Sequence, residues 1–292
     1  MKTSEKHVRP LIVIPAYNEE QRIGALLLRM GQWKHDVLVI DDGSADATAT
    51  LVARLGFRCH SQRENSGLTD AYIFAELYAG ENNYTHILSL DGDGQHDPRY
   101  IPDFLEALEV FELVSGNRFH DPELLPDPKI ASNLFAILLF REALNIALPD
   151  VSCGFRGWKT GMFEARAGHK GATEISRRYG VVYEMLLTHT KEGKPTGFVK
   201  IPAIYHENDP LNTKIPEIVG LLSTVVRYNN SGAIQSILDH VLNKRNFSIN
   251  LSGFRFDARV ASADAYIFET EMTNARQFLK SIQNQLENER KS

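Results

Sequence analysis

The feature that most limits what this chain can fold into is a short apolar run that returns three times and ends each time in a polar or acidic turn. Residues 11–14 (Leu-Ile-Val-Ile), 37–40 (Val-Leu-Val-Ile) and 87–90 (Ile-Leu-Ser-Leu) are these runs. Apolar runs this short, without regular alternation, suit strands buried on both faces. Helices are expected over residues 21–31, from a Ser44 or Asp46 cap through Leu55, over 70–79 and over 100–108, with further short strands over 57–60 and 111–115. Strand, helix and strand in this order make parallel βαβ units. Such sheets bind ligands beyond the carboxyl ends of their strands, so repeated acidic exits favour one shared site.

The third run leads into Asp91-Gly92-Asp93-Gly94-Gln95-His96-Asp97-Pro98. Two carboxylates one residue apart, with glycines that allow a tight turn, can be presented to one hard cation. An Asp/Gly-rich surface turn gives the same pattern, and both readings stay open on this stretch alone. Asp41, Asp42, Asp91 and Asp93 gathered together would repel unless a metal, a base or polar hydrogens separated them. A division of labour relieves this: one pair reads a base or ribose, and the other holds a metal bridging phosphates. Mg²⁺ or Mn²⁺ suits such oxygen ligands.

Several classes are disfavoured. A formal net charge of −5 gives no reason to expect a long nucleic-acid footprint, with a local basic patch left open. Cys59 and Cys153, the only cysteines, fit a reducing compartment and cannot supply a four-cysteine zinc site. The first strand is followed by Pro15-Ala16-Tyr17-Asn18-Glu19, not by the spaced glycines of a dinucleotide-binding dehydrogenase. Residues 1–10 lack the apolar core of a secretion signal, and the longest hydrophobic stretch, 134–148, is broken by Arg141 and Glu142. A cytoplasmic protein is expected, with peripheral contact to the cytoplasmic membrane face left open.

Further along, a helix is expected over 129–148 with a buried stripe of Leu134, Ile137, Leu138 and Leu144. A mobile loop over 168–171, a Thr173 cap and a helix carrying Glu184 follow, then an edge strand over 198–204. Residues 215–228 could lie against a core or a lipid surface. Residues 254–267 mix apolar and charged residues, and 272–289 resemble a solvated helix that could cover the sheet, pair with a second copy or form an appendage. The expected division is a catalytic domain over 1–210 and an extension over 211–292, with amphipathic helices open to membrane or oligomer contact.

Taken in order, Val13-Ile14-Pro15-Ala16-Tyr17-Asn18-Glu19-Glu20, Val39-Ile40-Asp41-Asp42-Gly43-Ser44 and the 90–98 stretch resemble the inverting glycosyltransferases of family 2, which have the GT-A fold. Ser115-Gly116-Asn117-Arg118-Phe119 and Asp150-Val151-Ser152-Cys153-Gly154-Phe155-Arg156 are similar to the branch that transfers mannose or glucose to dolichyl or polyprenyl phosphate. The resemblance spans residues 11–208 and implies an α/β fold: a mostly parallel sheet flanked by helices, with a helical or mixed carboxyl-terminal extension. It implies a nucleotide pocket lined by Pro15, Tyr17 and Glu19, with Asp42 on the nucleoside. Asp91 and Asp93 fall at the metal-diphosphate site, Gln95 on its acceptor or metal side, and Arg118 near phosphate. Arg156 is implied to hold phosphate or support the fold, and Glu184 to support the site or contact sugar. The implied reaction is hexose transfer from GDP-mannose or UDP-glucose to a polyprenyl phosphate. A saccharide hydroxyl acceptor and a non-catalytic nucleotide-sugar-binding protein are the alternatives. The sequence departs from the branch at Arg63-Glu64-Asn65-Ser66-Gly67-Leu68-Thr69-Asp70-Ala71, where Thr69 replaces a usual glycine and the expected lysine is missing.

Overall fold

The computed structural model describes residues 8–162, 174–207, 209, 211, 213–229 and 231–289. In chain order the elements are β1 (Pro10–Ala16), α1 (Ile23–Arg29), β2 (Val37–Asp41), α2 (Thr48–Arg54), β3 (Arg58–Ser61), α3 (Leu68–Glu81), β4 (His86–Ser89), α4 (Ile101–Leu108), β5 (Leu113–Asn117), α5 (Asp127–Leu144) and β6 (Arg156–Lys159). They continue with α6 (Glu174–Lys191), β7 (Thr196–Lys200), β8 (Thr213–Lys214), α7 (Ile215–Tyr228), α8 (Gly232–Leu242), β9 (Phe247–Leu251), β10 (Phe254–Ser262), β11 (Ala265–Glu269) and α9 (Met272–Glu289). The chain divides into two compact units. The first holds Met1–Gly116, Gly154–Lys170 and Pro195–Val199, and the second Asn117–Cys153, Gly171–Lys194 and Lys200–Ser292.

The first unit is built on a sheet of order β3-β2-β1-β4-β6-β5-β7. β1 runs parallel to β2 and β4, and β2 parallel to β3, while β6 is antiparallel to both β4 and β5. Leu11, Ile12, Val13 and Ile14 in the middle strand are completely buried, as a doubly covered strand requires. Burial of each such side chain contributes roughly 1.5–3 kcal/mol. All three apolar runs thus lie in adjacent strands, and their acidic exits share one edge of the sheet.

Some boundaries move for local reasons. α1 stops at Arg29, because the chain tightens into a 3-10 turn over Gly31–Asp36. α5 ends at Leu144, ahead of residue 148, because Asn145 takes a left-handed conformation (φ 56°) and closes the helix onto Arg141 and Phe140 carbonyls. Its buried residues cover almost the whole circumference from Ile130 to Phe140 instead of forming a stripe, with Leu144 only half-buried. The expected loop over 168–171 and the Thr173 cap lie outside the described residues.

The second unit holds an antiparallel sheet of order β8-β11-β10-β9, which the sequence reading did not resolve into strands. Phe256 and Ala258 point into the core while Arg255 and Arg259 are exposed, the alternation of a half-buried strand. Ser252 and Gly253 both have positive φ (48° and 84°) and join β9 to β10 in a two-residue hairpin. Phe135 of α5 packs against Phe247, Phe256 and Phe268, with ring centroids 5.1–6.4 Å apart. α7 buries Ile218, Val219, Leu221, Leu222 and Val225, packing on α6 and α8, so its apolar face is spent in the core of this unit. α9 lays Ala275, Leu279 and Ile282 toward α5. No helix of the described residues is long and apolar enough to cross a membrane.

Candidate active site

The exits of β1 and β2 are sewn together by side chains that the sequence pattern supplies. Asn18, at φ 57°, donates its N–H to Ser44 Oγ (2.9 Å), and its Oδ1 accepts from Ala45 N–H (2.9 Å). Glu19 N–H reaches Thr48 Oγ1 (2.8 Å), Glu20 N–H reaches Asp46 Oδ2 (3.1 Å), and Glu20 Oε2 accepts from Ala47 N–H (3.0 Å). Asp46, not Ser44, serves the start of α2, accepting from both Thr48 N–H and Thr48 Oγ1–H. Pro15 and Glu19 are half-buried beside these bonds, while Tyr17 is 47% exposed and offers its ring to solvent.

Asp42 is buried and ties the departing loop to the end of β2: Ser66 N–H donates to Oδ1 (2.7 Å) and Gly67 N–H to Oδ2 (2.9 Å). Gly43 makes this approach possible. It sits at φ 72°, and a Cβ there would lie 2.7 Å from the Glu64 carbonyl carbon.

The turn after β4 is closed by its own groups. Gln95 N–H donates to Asp93 Oδ1 (2.9 Å), and Asp91 N–H donates to His96 Nδ1 (3.1 Å). That nitrogen therefore carries no proton, and its 3.6 Å separation from Asp91 Oδ2 is not an ion pair in this tautomer. His96 is buried against Phe155, while the Asp91 side chain is 37% exposed. Asp97 caps the following turn. Burial alone would push its pKa up, but hydrogen bonds from Arg99 and the charge of Arg29 outweigh it and hold the carboxyl below the ordinary aspartate range.

Asp91 and Asp93 are hard oxygen donors, and among the described residues no third His, Cys, Asp or Glu joins them as a ready-made metal cage. Two carboxylates with the remaining positions left to phosphate and water is the ordinary way in which Mg²⁺ is held. Gly154 lets the Asp91 carboxylate lie against the backbone: a Cβ there would fall 2.5 Å from both of its oxygens. The donor set, with the Asp91 side chain partly exposed, fits a divalent cation.

In the second unit, Arg118 forms a fork with buried Asp150, Nε to Oδ2 at 2.8 Å and Nη2 to Oδ1 at 3.0 Å, and Nη2 also donates to Ser152 Oγ at 2.7 Å. Burial opposes its charge, yet Asp150 keeps the guanidinium firmly protonated. Asp150 also accepts from the N–H groups of Arg118, Ser152 and Cys153. Ser152 Oγ–H donates to Asn133 Oδ1, and Asn133 Nδ2 donates to the Lys129 carbonyl (2.8 Å). Burial pushes the Lys129 ammonium below the ordinary lysine range; Glu217 pulls the other way, and the charges of Arg118 and Lys214 push it down further. Nearby Tyr205 has its hydroxyl pKa raised, chiefly by burial. Glu184 belongs to a different network, paired with Arg227 of α7.

The first unit therefore holds Pro15, Tyr17, Glu19, Asp42, Asp91, Asp93, Gln95 and Arg156, and the second holds Arg118 and Glu184. Arg156 is fully buried on β6, opposite Ser89 and Ser115. Lys129 lies half-buried in the first turn of α5. Nothing local marks it, since its neighbours Arg118 and Lys214 are distant in the chain.

Residues 11–166 match the model of the family described as glycosyl transferase family 2. An undecaprenyl-phosphate mannosyltransferase of Micrococcus luteus is 29% identical over 212 residues, covering 69% of this chain and 85% of that protein. A polyprenol monophosphomannose synthase of Mycolicibacterium smegmatis is 28% identical over 171 residues, covering 53% and 63%. Among solved structures, glucosyl-3-phosphoglycerate synthase from Mycobacterium tuberculosis in complex with Mg²⁺ and UDP superposes with a TM-score of 0.53 at 18% identity, over 88% of this chain and 89% of that one. The architecture is the GT-A fold, with its mostly parallel sheet and carboxyl-terminal extension. With more than half of its length matched and the family's strand exits in place, the chain belongs to glycosyl transferase family 2 and is a glycosyltransferase.

Proposed function

We propose that the protein transfers a hexose, mannose or glucose, from a nucleotide-diphospho-sugar to a polyprenyl or dolichyl phosphate, with inversion at the sugar. The observation that carries the acceptor side is Arg118, held in one orientation by its fork on buried Asp150, with half-buried Lys129 within its field. The named activities of the Micrococcus and Mycolicibacterium relatives, both of which place sugar on a polyprenyl carrier, support the same reading.

In this reading Pro15, Tyr17 and Glu19 line the nucleotide pocket, and Asp42 orders its wall through the loop it holds. Asp91 and Asp93 would hold Mg²⁺ or Mn²⁺, which supplies charge neutralisation to the diphosphate leaving group. Gln95 fixes the Asp93 carboxylate through its N–H. Arg118, with Lys129 and Lys214 beside it, binds the acceptor phosphate, whose oxygen is anionic near neutral pH and attacks without a strong general base. Arg156 and Glu184 act as supports, one sealed in the sheet and the other held by Arg227. Residues 1–210 are assigned as catalytic and 211–292 as the extension.

The test is acceptor competition with purified protein, GDP-mannose or UDP-glucose as donor, and short-chain polyprenyl phosphate against the parent alcohol and a saccharide. Transfer confined to the phosphate is expected. Preference for a hydroxyl acceptor would move the assignment to a family member in which a carboxylate takes the acceptor proton. Donor binding with no transfer would favour a non-catalytic role.

A further inference from the structure

The carboxyl-terminal helix reaches the segment that carries Arg118, and it does so within the second unit. Asn117 is buried at the end of β5, and both of its side-chain polar atoms are used. Its Nδ2 donates to Gln283 Oε1 of α9 at 2.6 Å, and its Oδ1 accepts from Phe119 N–H at 3.1 Å. Its carbonyl accepts from Ile201 N–H at 3.2 Å. Arg118 lies between the residues fixed in this way.

Arg276 and Lys280 extend the same grip. Arg276 donates to the carbonyls of Pro122 and Leu125 and pairs with Asp127 at 2.6 Å, while Lys280 pairs with Glu123 at 2.7 Å. Spacings of four and three residues put Arg276, Lys280 and Gln283 on one face of α9. The lysine pair is exposed and contributes little. The amide pair is buried, where leaving a donor unmade is costly. Gln283 Nε2 itself has no partner among the described residues, so the bond to Asn117 alone orients this buried amide.

We infer that Gln283 is a positioning residue for acceptor-phosphate binding, fixing residues 117–119 through Asn117 and thereby the Arg118 fork on Asp150. The inference rests on the reading of Arg118 as a phosphate-binding residue. It gives the carboxyl-terminal helix a part in the reaction that its sequence does not announce.

The test uses the full chain with Gln283→Met, which keeps length and removes the acceptor, and Gln283→Glu, which keeps an acceptor oxygen. Gln283→Asn, one methylene short of the contact, is the second disrupting variant if Met fails to fold. Hydrogen exchange at Phe119 N–H should quicken about tenfold in Gln283→Met, with acceptor KM raised about tenfold and donor KM within twofold of the parent. Gln283→Glu should restore both. Unchanged exchange overturns the inference, as does faster exchange with unchanged acceptor KM when Arg118→Ala raises that KM. If Arg118→Ala leaves acceptor KM unchanged, the phosphate role of Arg118 fails, and the positioning role toward phosphate fails with it.

Discussion

Asp91 and Arg118 are both charged residues marked by sequence motifs, yet the two units hold them in opposite ways. Asp91 stands on a turn closed by its neighbours, with a side chain more than a third exposed and a glycine leaving room beside it. Arg118 is forked onto a fully buried carboxylate that accepts three backbone N–H bonds. An exposed acid on a self-supporting turn can be altered with little effect on folding. A buried ion pair cannot, because removing one partner strands the other.

The sharpest way to break this contrast is Asp150→Ala, which leaves Arg118 buried without its counter-charge. A loss of about 3–5 kcal/mol in unfolding free energy is expected, measured by urea titration; a loss below roughly 1 kcal/mol would show that the fork is not the anchor. On the other side, Gly154→Ala should displace the Asp91 carboxylate and cut metal-dependent transfer by about 100-fold, with stability changed by less than about 1 kcal/mol. Equal loss of activity and stability would erase the distinction. Asp93→Asn should behave in the same direction, and normal turnover at limiting metal would remove it from the metal site.

Lys129→Met sharpens the comparison from within the second unit. A lysine whose folded pKa is depressed binds fewer protons folded than unfolded, so stability rises as pH climbs from its folded value toward the ordinary lysine range. Below that window the charge is a burden, and its removal should stabilise the protein by roughly 1 kcal/mol while raising acceptor KM about tenfold. A destabilised variant with unaltered kinetics would contradict the acceptor role. The smallest effect is expected at Asp97, whose carboxyl is held below its ordinary range. The stability it contributes is present above the unfolded aspartate value and lost as pH falls through the folded one, so Asp97→Asn should flatten the acid limb of the pH–stability curve by about 1 kcal/mol or less.

What could be read from sequence follows the same division. In the first unit β1, β2 and β4 were legible because each is a short apolar run with its functional residues directly after it, whereas β6, Arg-Gly-Trp-Lys, has no such run and gives no strand signal. Gly154 was visible as part of a motif, but its reason, the approach to Asp91, is a contact across the sheet that spacing cannot express. In the second unit, β9 and β10 hid because charged residues on the outer face of Phe254–Ser262 masked a period of two. The Ser252-Gly253 dipeptide was the available turn signal. The extent of α9 matches the helix expected over 272–289, since helical spacing is local, but its buried Ala275, Leu279 and Ile282 make it a packed helix and not a solvated one. Lys129 and the Asn117–Gln283 pair were not legible, because their partners lie far away along the chain.

The most direct measurement is product formation from polyprenyl phosphate and a nucleotide sugar by the full chain, with Mg²⁺ or Mn²⁺ and again with excess chelator, followed by the anomeric configuration of the product. A glycosyl polyprenyl phosphate of inverted configuration, formed only with metal and lost in Asp93→Asn, is the predicted result. Transfer that survives the chelator, or that retains configuration, would contradict the account.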